Sequence, residues 1–300
     1  MESQRPPRTP AWFRALRPRH WIKNSVLLAG ILFTLDEAHP ASHWLMVLGG
    51  ILVFSALASA IYLVNDICDA EQDRLHPRKR FRPIASGELS PGAARILATG
   101  LAVGAVGAAA LLGWEFLGIS LAYLTLTIAY SLWLKHVVIV DVLALSACYV
   151  LRAAAGAAVI GVLISPWLLV CTTLGALLIG LAKRRNELLV LDRAGDHRKI
   201  LQEYTPAMLD QFIGIVTSTT LTAYMLYTFF SRTGQERPLM MLTIPFVLYG
   251  LLRFLYLSHQ RGKGGNPVLE LVEDRPLLVN GLLWVATVVG VMLLTGGRPR

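Results

Sequence analysis

Long uninterrupted apolar runs constrain this chain more than any other feature. Residues 43–64 and 276–296 each match the roughly 20 residues that a helix needs to cross the hydrocarbon core of a bilayer. We predict about nine such helices, starting near residues 22, 43, 93, 116, 138, 166, 212, 240 and 276. Of the 300 residues, 55% are hydrophobic and only 16% are charged. The sequence therefore predicts an all-α, polytopic membrane protein with one integral membrane domain, 1–300.

The basic residues follow a topological pattern. Lysine and arginine concentrate in alternate connections, while intervening connections such as LDEAHPAS carry none. Under the positive-inside rule, the N-terminus and a basic arm, 1–21, lie in the cytoplasm. The connections 66–92 and 183–211 then lie on the same cytoplasmic face. Because topology accounts for the net charge of +9, no nucleic-acid partner is expected.

Acidic residues cluster at the end of the second predicted helix, in YLVNDICDAEQD at 62–73. If the helix continues through this string at about 100° per residue, four oxygen-bearing side chains share one face; they are Asn65, Asp66, Asp69 and Asp73. Glu71 points away, near about 240°. Carboxylates held together repel one another unless a cation neutralises them, and Mg²⁺ prefers oxygen ligands shared with substrate phosphates. These four residues are therefore predicted to bind Mg²⁺ and a diphosphate.

Basic residues follow the acids in HPRKRFRP at 76–83. Arg78, Lys79, Arg80 and Arg82 could hold phosphate oxygens through charge-assisted hydrogen bonds. The alternative is a solvated loop whose bases serve only the membrane topology. For the bases alone, the topological reading is favoured. For the acids on one helical face together with the RPIASG turn, the functional reading is favoured, since carboxylates at a membrane boundary usually need a partner.

Ionisable residues also occur inside the apolar runs. Asp141 and Arg152 lie about three helical turns apart on nearly the same face, which predicts a pair or a polar column lining a cavity. A structural ion pair between helices is the alternative. Lys23 and Lys135 could extend to the membrane interface.

Several strings resemble one known superfamily. NDICDAEQD followed by RPIASG is similar to NDxxDxxxD, the first aspartate-rich motif of the UbiA-type polyprenyltransferases. Further similar strings, including AYSLWLK at 129–135, extend the resemblance over nearly the whole chain. The resemblance implies a UbiA-like bundle of about nine transmembrane helices with a cytoplasm-facing cavity and Mg²⁺ as cofactor.

Within the superfamily, four strings resemble the phosphoribosyltransferase branch; they are RPRHWIKN at 17–24, HPRKRFRPIASG at 76–87, YVLRAAAGA at 149–157 and KRRNEL at 183–188. This branch implies transfer of a phosphoribosyl group from phosphoribosyl diphosphate to a polyprenyl phosphate such as decaprenyl phosphate, with release of pyrophosphate. It also implies the bacterial inner (cytoplasmic) membrane and the synthesis of arabinan precursors for the cell envelope. The sequence leaves open whether the chain forms a homo-oligomer.

The resemblance adds expectations for individual residues. Glu187 is expected to act in catalysis beside Asp66, Asp69 and Asp73, while the substrate contacts are Lys23, Asn65, Lys79, Arg82, Lys135, Arg152, Lys183 and Arg184. The superfamily's second motif is usually DxxxD, and the nearest match is Asp192 with Asp196 in LDRAGDHRK. On an unbroken helix these two aspartates lie opposite Lys183 and Glu187, so we retain them only as candidate ligands of a second metal ion.

Two other functions remain compatible with the sequence. A UbiA-type aromatic prenyltransferase would take a polyprenyl diphosphate as donor, and a lipid or ion transporter would use the charges inside the membrane. The excess of cations favours a water-soluble, highly anionic donor. We therefore rank the phosphoribosyltransferase first.

Overall fold

The chain folds as a helical bundle, seen in a computed structural model that describes residues 9–32, 34, 39–75, 79–163, 165–191, 199–260 and 273–295. The α-helices are α1 (Ala11–Ala15), α2 (Ala29–Leu32), α3 (Ala41–Cys68), α4 (Ala70–Leu75), α5 (Pro91–Leu112), α6 (Trp114–Leu132), α7 (Val140–Ala158), α8 (Pro166–Leu191), α9 (Pro206–Phe230), α10 (Arg232–Glu236), α11 (Ile244–Gln260) and α12 (Arg275–Thr295). Short 3₁₀ helices occupy Pro18–Leu28, Lys79–Phe81, Leu134–His136, Lys199–Glu203 and Pro238–Thr243. The all-α prediction is confirmed.

Eight helices within the described ranges are long and apolar enough to cross a membrane. They correspond to the predicted spans from residue 43 onward. The first predicted span, from residue 22, contains the end of the 3₁₀ helix Pro18–Leu28 and the short α2 instead. Helix α9 begins at Pro206, ahead of the predicted 212, because the Thr205 side chain caps its first turn and Pro206 suits that position.

Helices α3 and α7 form the centre of the bundle. More than half of the most apolar window of each is buried, compared with a third or less for the other spans. One buried cluster joins α3 to its neighbours through Phe54, Phe116 and Tyr123, and another joins α7 to α8 and α9 through Val142. Large apolar side chains such as Leu111 and Leu294 are exposed on the outside. This distribution fits a multi-pass membrane protein whose outer surface contacts lipid.

The N-terminal arm packs against the bundle. The Trp21 indole donates to Ser59 Oγ at 3.0 Å, and that hydroxyl donates to the Leu16 carbonyl at 3.0 Å. Ala15 and Leu16 are buried in a cluster that includes Leu63 of α3. These contacts bring the arm to the end of α3 that carries the acids.

Two glycines allow the 3₁₀ helix Pro18–Leu28 and α2 to approach α7 closely. A Cβ atom on Gly156 would lie 2.0 Å from the Leu27 carbonyl oxygen, and one on Gly30 would lie 2.9 Å from the Ala157 nitrogen. Only a residue without a side chain fits so close to another backbone. The 3₁₀ helix Pro18–Leu28 and α2 therefore pack with their backbones in direct contact with that of α7.

Candidate active site

The acidic string forms a broken helix. Helix α3 ends at Cys68, and α4 begins at Ala70, so the predicted single helix through residue 73 is interrupted at Asp69. The interruption is small, because the Asp69 nitrogen donates to the Asn65 carbonyl at 2.9 Å and the Asp73 nitrogen donates to the Asp69 carbonyl at 2.8 Å. The helical spacing is nearly preserved across the break.

Two of the acids converge on one arginine. Asp66 and Asp73 are each 2% exposed. The Arg82 Nη1 atom lies 3.0 Å from Asp66 Oδ1 and 2.6 Å from Asp73 Oδ2. Arg82 thus lies against both acids, and the two carboxylates face a common point.

The other members of the acidic string are more open. Asn65 and Asp69 are partly buried, and Glu71 is exposed. Asp69 makes no side-chain hydrogen bond within the described part of the chain. Its carboxylate is therefore available to a ligand, whereas Glu71 faces away from the buried pair, as the helical spacing predicted.

Further cations surround the acids. Arg17 in the arm donates from Nη2 to Asp66 Oδ1 at 2.5 Å. The Lys79 ammonium lies 3.8 Å from Asp73 Oδ1. Arg78 lies outside the described residues. Of the basic residues that we predicted to meet phosphates, Lys79 and Arg82 thus lie against carboxylates that we predicted to meet a metal ion. Arg80 instead is exposed, with its guanidinium over the Phe81 ring.

The second half of the chain contributes a buried polar network. Arg184 of α8 is fully buried and donates to Asp141 Oδ2 of α7 at 2.5 Å, to Glu187 Oε2 at 2.5 Å and to Tyr130 of α6 at 3.0 Å. The Tyr204 hydroxyl donates to Asp141 Oδ1 at 3.0 Å. Arg184 therefore joins three helices. Arg184 therefore lies deeper in the bundle than Glu187, whose side chain is 31% exposed.

Lys183 lies at the exposed edge of this network. Its ammonium lies 3.8 Å from Glu187 Oε1, and its side chain is 44% exposed. Asp192 and Asp196, our candidate ligands of a second metal ion, lie outside the described residues.

His20 marks the point where the two halves meet. Burial, followed by the positive charges of Lys23, Arg17, Lys183 and Arg82, lowers the pKa of His20 from 6.5 to about 4. Its ring packs edge-on against Tyr62 with the centroids 5.5 Å apart. The imidazole is therefore neutral at neutral pH. The arm, the basic string and α8 together surround it with cations.

Asp141 and Arg152 do not pair with each other, so the direct pair that we predicted within α7 is wrong, while a polar column lining a cavity stays a prediction. Three turns of helix separate them by about 16 Å along the axis, beyond the reach of their side chains. Asp141 instead pairs with Arg184 of α8, so the alternative ion pair between helices is what forms. Arg152 donates to Asn24 Oδ1 and to the Tyr123 hydroxyl, both at 2.8 Å.

The remaining predicted contacts are distributed around this region. Lys23 lies in the 3₁₀ helix Pro18–Leu28, next to the buried Asn24, and contributes to the positive charge around His20. Lys135 lies in the 3₁₀ helix Leu134–His136 and is partly buried.

Sequence reasoning missed Arg17, His20, Tyr130 and Tyr204 as members of this region. Arg17 and His20 lie in RPRHWIKN, which was used only for family resemblance. Arg17 precedes a proline yet has φ 54° and ψ 59°, a left-handed conformation that costs an L-residue about 1–2 kcal/mol. That geometry directs its guanidinium toward Asp66 and cannot be read from a pattern.

The acidic residues fit Mg²⁺ in their donor chemistry. Among the described residues, no group of three or more His, Cys, Asp or Glu side chains is close enough to hold a metal ion alone. Mg²⁺ commonly uses only one or two carboxylates and completes its shell with water and substrate phosphates. Asp66 and Asp73 already face one cationic group, and Asp69 is open beside them. The set therefore suits a metal ion shared with a substrate.

Comparisons with known proteins agree with this architecture. The sequence profile of the UbiA prenyltransferase family matches residues 25–267. The chain is similar to a UbiA homologue from Archaeoglobus fulgidus whose structure was solved bound to GPP and Mg²⁺, with a TM-score of 0.72 at 18% identity, covering 94% of this chain and 99% of that one. A second structure of that homologue, bound to DMAPP and Mg²⁺, has the same TM-score of 0.72 at 17% identity and covers 95% and 99%.

Curated relatives are similar over most of their length. The decaprenyl-phosphate phosphoribosyltransferase of Mycobacterium tuberculosis is 35% identical over 284 residues, which cover 92% of each chain. The protein of the same name from Corynebacterium glutamicum is 34% identical over 304 residues, covering 96% of this chain and 89% of that one.

Proposed function

This chain belongs to the UbiA prenyltransferase family and is a membrane-bound transferase, and from that premise we propose that it transfers a phosphoribosyl group from phosphoribosyl diphosphate to a polyprenyl phosphate. An oxygen of the lipid phosphate attacks the anomeric carbon of ribose. The bond from that carbon to the diphosphate breaks, and pyrophosphate leaves with the electron pair. The chain length proposed for the lipid is that of decaprenyl phosphate, by similarity to the named relatives.

The observation that carries this proposal is the convergence of cations from both halves of the chain. Arg17 and Arg82 both contact Asp66 Oδ1, one of the carboxylates that would share a metal ion. Together with Lys23 and Lys183, their positive charges lower the pKa of the neighbouring His20. Phosphoribosyl diphosphate carries a diphosphate at one end and a further phosphate at the other. A surface with several separated cations suits such a donor better than one with a single diphosphate.

The chain's own residues bind and orient the substrates in this reaction. Asp66, Asp69 and Asp73 would hold Mg²⁺, which when bound neutralises charge on the diphosphate. Lys79, Arg82 and Lys183 would contact phosphate oxygens, and cations aimed at the leaving diphosphate stabilise it as negative charge accumulates there. Glu187 orients Lys183, since the two side chains lie 3.8 Å apart.

The acceptor needs little activation. A phosphate monoester is already an anion at neutral pH, so no serine, cysteine or histidine nucleophile is required. His20 is unsuited to take up a proton, because burial and the neighbouring cations lower its pKa to about 4. Catalysis would therefore rest on positioning and electrostatic stabilisation.

We place the reaction at the cytoplasmic face of a bacterial inner membrane, with the N-terminus inside. The basic connections support this orientation through the positive-inside rule. We propose that the product feeds the synthesis of arabinan precursors for the cell envelope, which is what the resemblance of the sequence to the phosphoribosyltransferase branch implies.

A radiolabel assay tests the proposal. Purified protein is mixed with Mg²⁺, labelled phosphoribosyl diphosphate and decaprenyl phosphate, and label extracted into butanol is counted together with released pyrophosphate. We expect both to appear in equal amounts and to disappear with EDTA. A matched reaction supplies polyprenyl diphosphate and labelled hydroxybenzoate, the substrates of an aromatic prenyltransferase. Transfer only in that second reaction would reject the proposal.

The Glu71→Gln and Asp69→Asn variants give the matched control. Both remove one negative charge from α4 or its boundary, but only Asp69 belongs to the proposed metal-binding set. Loss of transfer in Asp69→Asn with retention in Glu71→Gln assigns the activity to this site and excludes a contaminating transferase.

A further inference from the structure

The acids and bases of the site cannot fulfil their two proposed tasks while they remain paired with each other. Arg82 Nη1 occupies the point that Asp66 and Asp73 both face, at 3.0 and 2.6 Å. A metal ion on the same oxygens would lie beside a guanidinium at a distance where two positive charges repel strongly. Binding of the metal ion therefore has to separate at least one of these pairs.

Arg17 forms a second pair of the same kind. Its Nη2 atom lies 2.5 Å from Asp66 Oδ1, the oxygen that Arg82 also contacts. The guanidinium also lies over the Tyr62 ring, 4.9 Å from its centroid. The left-handed backbone of Arg17 is strained for a residue with a side chain, and such strain persists where the surroundings impose it. The arm thus holds a second cation on the same carboxylate oxygen.

Both arginines remain within reach of water. Their side chains are 23% and 27% exposed, whereas that of Asp66 is 3% exposed. The buried carboxylate therefore stays fixed, and the two guanidinium groups have room to turn outward. An incoming ligand can meet them on their exposed side.

We propose that Arg17 and Arg82 are exchangeable counter-ions. Before substrate binds, they neutralise Asp66 and Asp73. When a metal ion binds these carboxylates, the two arginines instead bind the diphosphate. This inference rests on the proposed function for the identity of the donor, but its chemistry requires only a diphosphate and a divalent cation. It adds Arg17 to the residues that contact the donor. It also couples the two ligands, because each arginine leaves a carboxylate more readily when phosphate is present to receive it.

The coupling predicts that removing either arginine changes the metal affinity and the diphosphate affinity in opposite directions. Without a diphosphate, the arginines compete with the metal ion, so removing one of them should tighten metal binding. With a diphosphate, the same arginine becomes a ligand of the phosphates, so removing it should weaken diphosphate binding. A residue that merely holds the fold together would weaken both.

The experiment uses the full chain in detergent with Mn²⁺ and inorganic pyrophosphate as probes. Free Mn²⁺ is measured by electron paramagnetic resonance for the wild type, Arg17→Gln and Arg82→Gln. We expect each variant to bind Mn²⁺ alone about tenfold more tightly than the wild type, because one competing charge has been removed from the site. At saturating Mn²⁺, we expect each to bind radiolabelled pyrophosphate about tenfold more weakly.

Arg19→Gln is the matched control. Arg19 lies in the same arm and is exposed, and its replacement removes the same net charge without touching a carboxylate in the described structure. We expect its two affinities to stay within about twofold of the wild type, because solvent screens exposed charges. Arg82→Lys keeps the charge but not the geometry of the guanidinium, and its affinities should fall between those of the wild type and Arg82→Gln.

Three results would overturn the inference. Mn²⁺ could bind both glutamine variants no more tightly than Arg19→Gln, which would show that the arginines do not compete with metal. Pyrophosphate could bind them as it binds the wild type, which would show that they do not pass to phosphate. Both ligands could bind more weakly in Arg17→Gln, Arg82→Gln and Arg82→Lys while size-exclusion profiles stay unchanged, which would show a purely structural role.

These measurements are independent of the proposed transfer reaction. Neither probe contains a sugar or a lipid, so opposite changes in the two affinities would establish the exchange even if phosphoribosyl diphosphate proved not to be the donor. Conversely, active phosphoribosyl transfer with unchanged affinities would leave the proposed function standing without the exchange.

Discussion

Burial separates the acidic side chains into those that hold the site together and those that can receive a ligand. Asp73 is 2% exposed and contacts Arg82, while Asp69 is open and Glu71 is turned to solvent. We expect Asp69→Asn and Asp73→Asn to reduce kcat/KM by about a hundredfold or more, since each removes a charge from the proposed metal-binding set, where one charge is worth several kcal/mol. The kcat/KM of Glu71→Gln should stay within about twofold of the wild-type value. Initial rates of pyrophosphate release measure all three, and equal losses at Glu71 and Asp69 would contradict the assignment.

His20 makes the stability of the folded arm depend on pH in a defined direction. Burial and the charges of Lys23, Arg17, Lys183 and Arg82 lower its pKa to about 4 in the folded chain, from 6.5 in an unfolded one. Between those values, an unfolded arm binds a proton that the folded arm does not. Stability is therefore complete above about pH 6.5 and falls as the pH drops toward 4.

Thermal unfolding of the detergent-solubilised protein at pH 7.5 and pH 5 tests this direction. We expect acidification to lower the melting temperature of the wild type by more than it lowers that of His20→Gln. His136→Gln, which replaces an exposed histidine, should respond as the wild type does. If His20→Gln and the wild type lose the same amount, the histidine is not the titrating group.

Individual residues also show where sequence reasoning stops. The spacing of Asp66, Asp73 and Glu71 indicated correctly which acids share a face, because a helix repeats every 3.6 residues. The partners of these acids were harder to identify. Arg17 reaches Asp66 only through a left-handed turn before a proline, and no periodic pattern encodes that turn.

The contact between the 3₁₀ helix Pro18–Leu28 and α7 depends on a single missing side chain. A Cβ atom on Gly156 would lie 2.0 Å from the Leu27 carbonyl oxygen, which is backbone and cannot turn away. We expect Gly156→Ala to lower the unfolding free energy by about 1–3 kcal/mol or more, as overpacking does. Because that helix carries Lys23, activity should fall as well.

Gly104→Ala in α5 is the matched control. A Cβ atom there would meet nothing within 4 Å. Alanine favours a helix over glycine by about 0.5–1 kcal/mol, so this variant should be as stable as the wild type or slightly more so. Melting temperatures of the two variants, measured side by side, separate a steric effect from a change of helix propensity.

The Arg184 network connects α6, α7 and α8 through charges that are buried together. Removing one partner of such a network leaves another charge unpaired, at a cost of about 3–5 kcal/mol. We expect Arg184→Met to lower the melting temperature strongly. The double variant Arg184→Met with Asp141→Leu should recover part of the loss, since neither buried charge of that pair then remains. No recovery would mean that Arg184 stabilises the bundle by another route.

At the level of helices, apolar length predicted most of the spans, because the bilayer sets a minimum length for any helix that crosses it. The same reasoning failed to find partners between helices. Asp141 and Arg152 share a face of α7, yet each is satisfied by a different neighbour. Which helix faces which is a property of packing that a one-dimensional pattern does not contain.

The bundle as a whole has a predicted orientation that two exposed glutamates can report. Glu71 lies beside the acids and Glu115 lies at the start of α6, at the other end of a membrane crossing by α5. In a background without native cysteines, a membrane-impermeant maleimide should label Glu71→Cys only in inside-out vesicles and Glu115→Cys only in right-side-out vesicles. The reverse pattern would place the site on the outer face.

The overall architecture was predictable from strings spread along the chain, and the fold persists in a structure that is only 18% identical. Apolar patterning, spaced acids and alternating basic connections together specify such a bundle. The N-terminal arm was not predicted as a wall of the site, because its residues show neither a long apolar run nor a helical period. Its place follows from contacts such as that between Trp21 and Ser59.

Helix α3 is longer than a bilayer requires, and its surplus changes how the two substrates meet. Its 28 residues span about 42 Å, while the hydrocarbon core is about 30 Å thick. The carboxylates at its end can therefore lie at the level of the lipid headgroups. In the proposed reaction, the lipid phosphate would therefore not need to leave its own layer, and it would reach the enzyme by a two-dimensional search. Its effective concentration would then be a density per unit of membrane area, independent of cell volume, whereas the proposed sugar donor would arrive in three dimensions from solution.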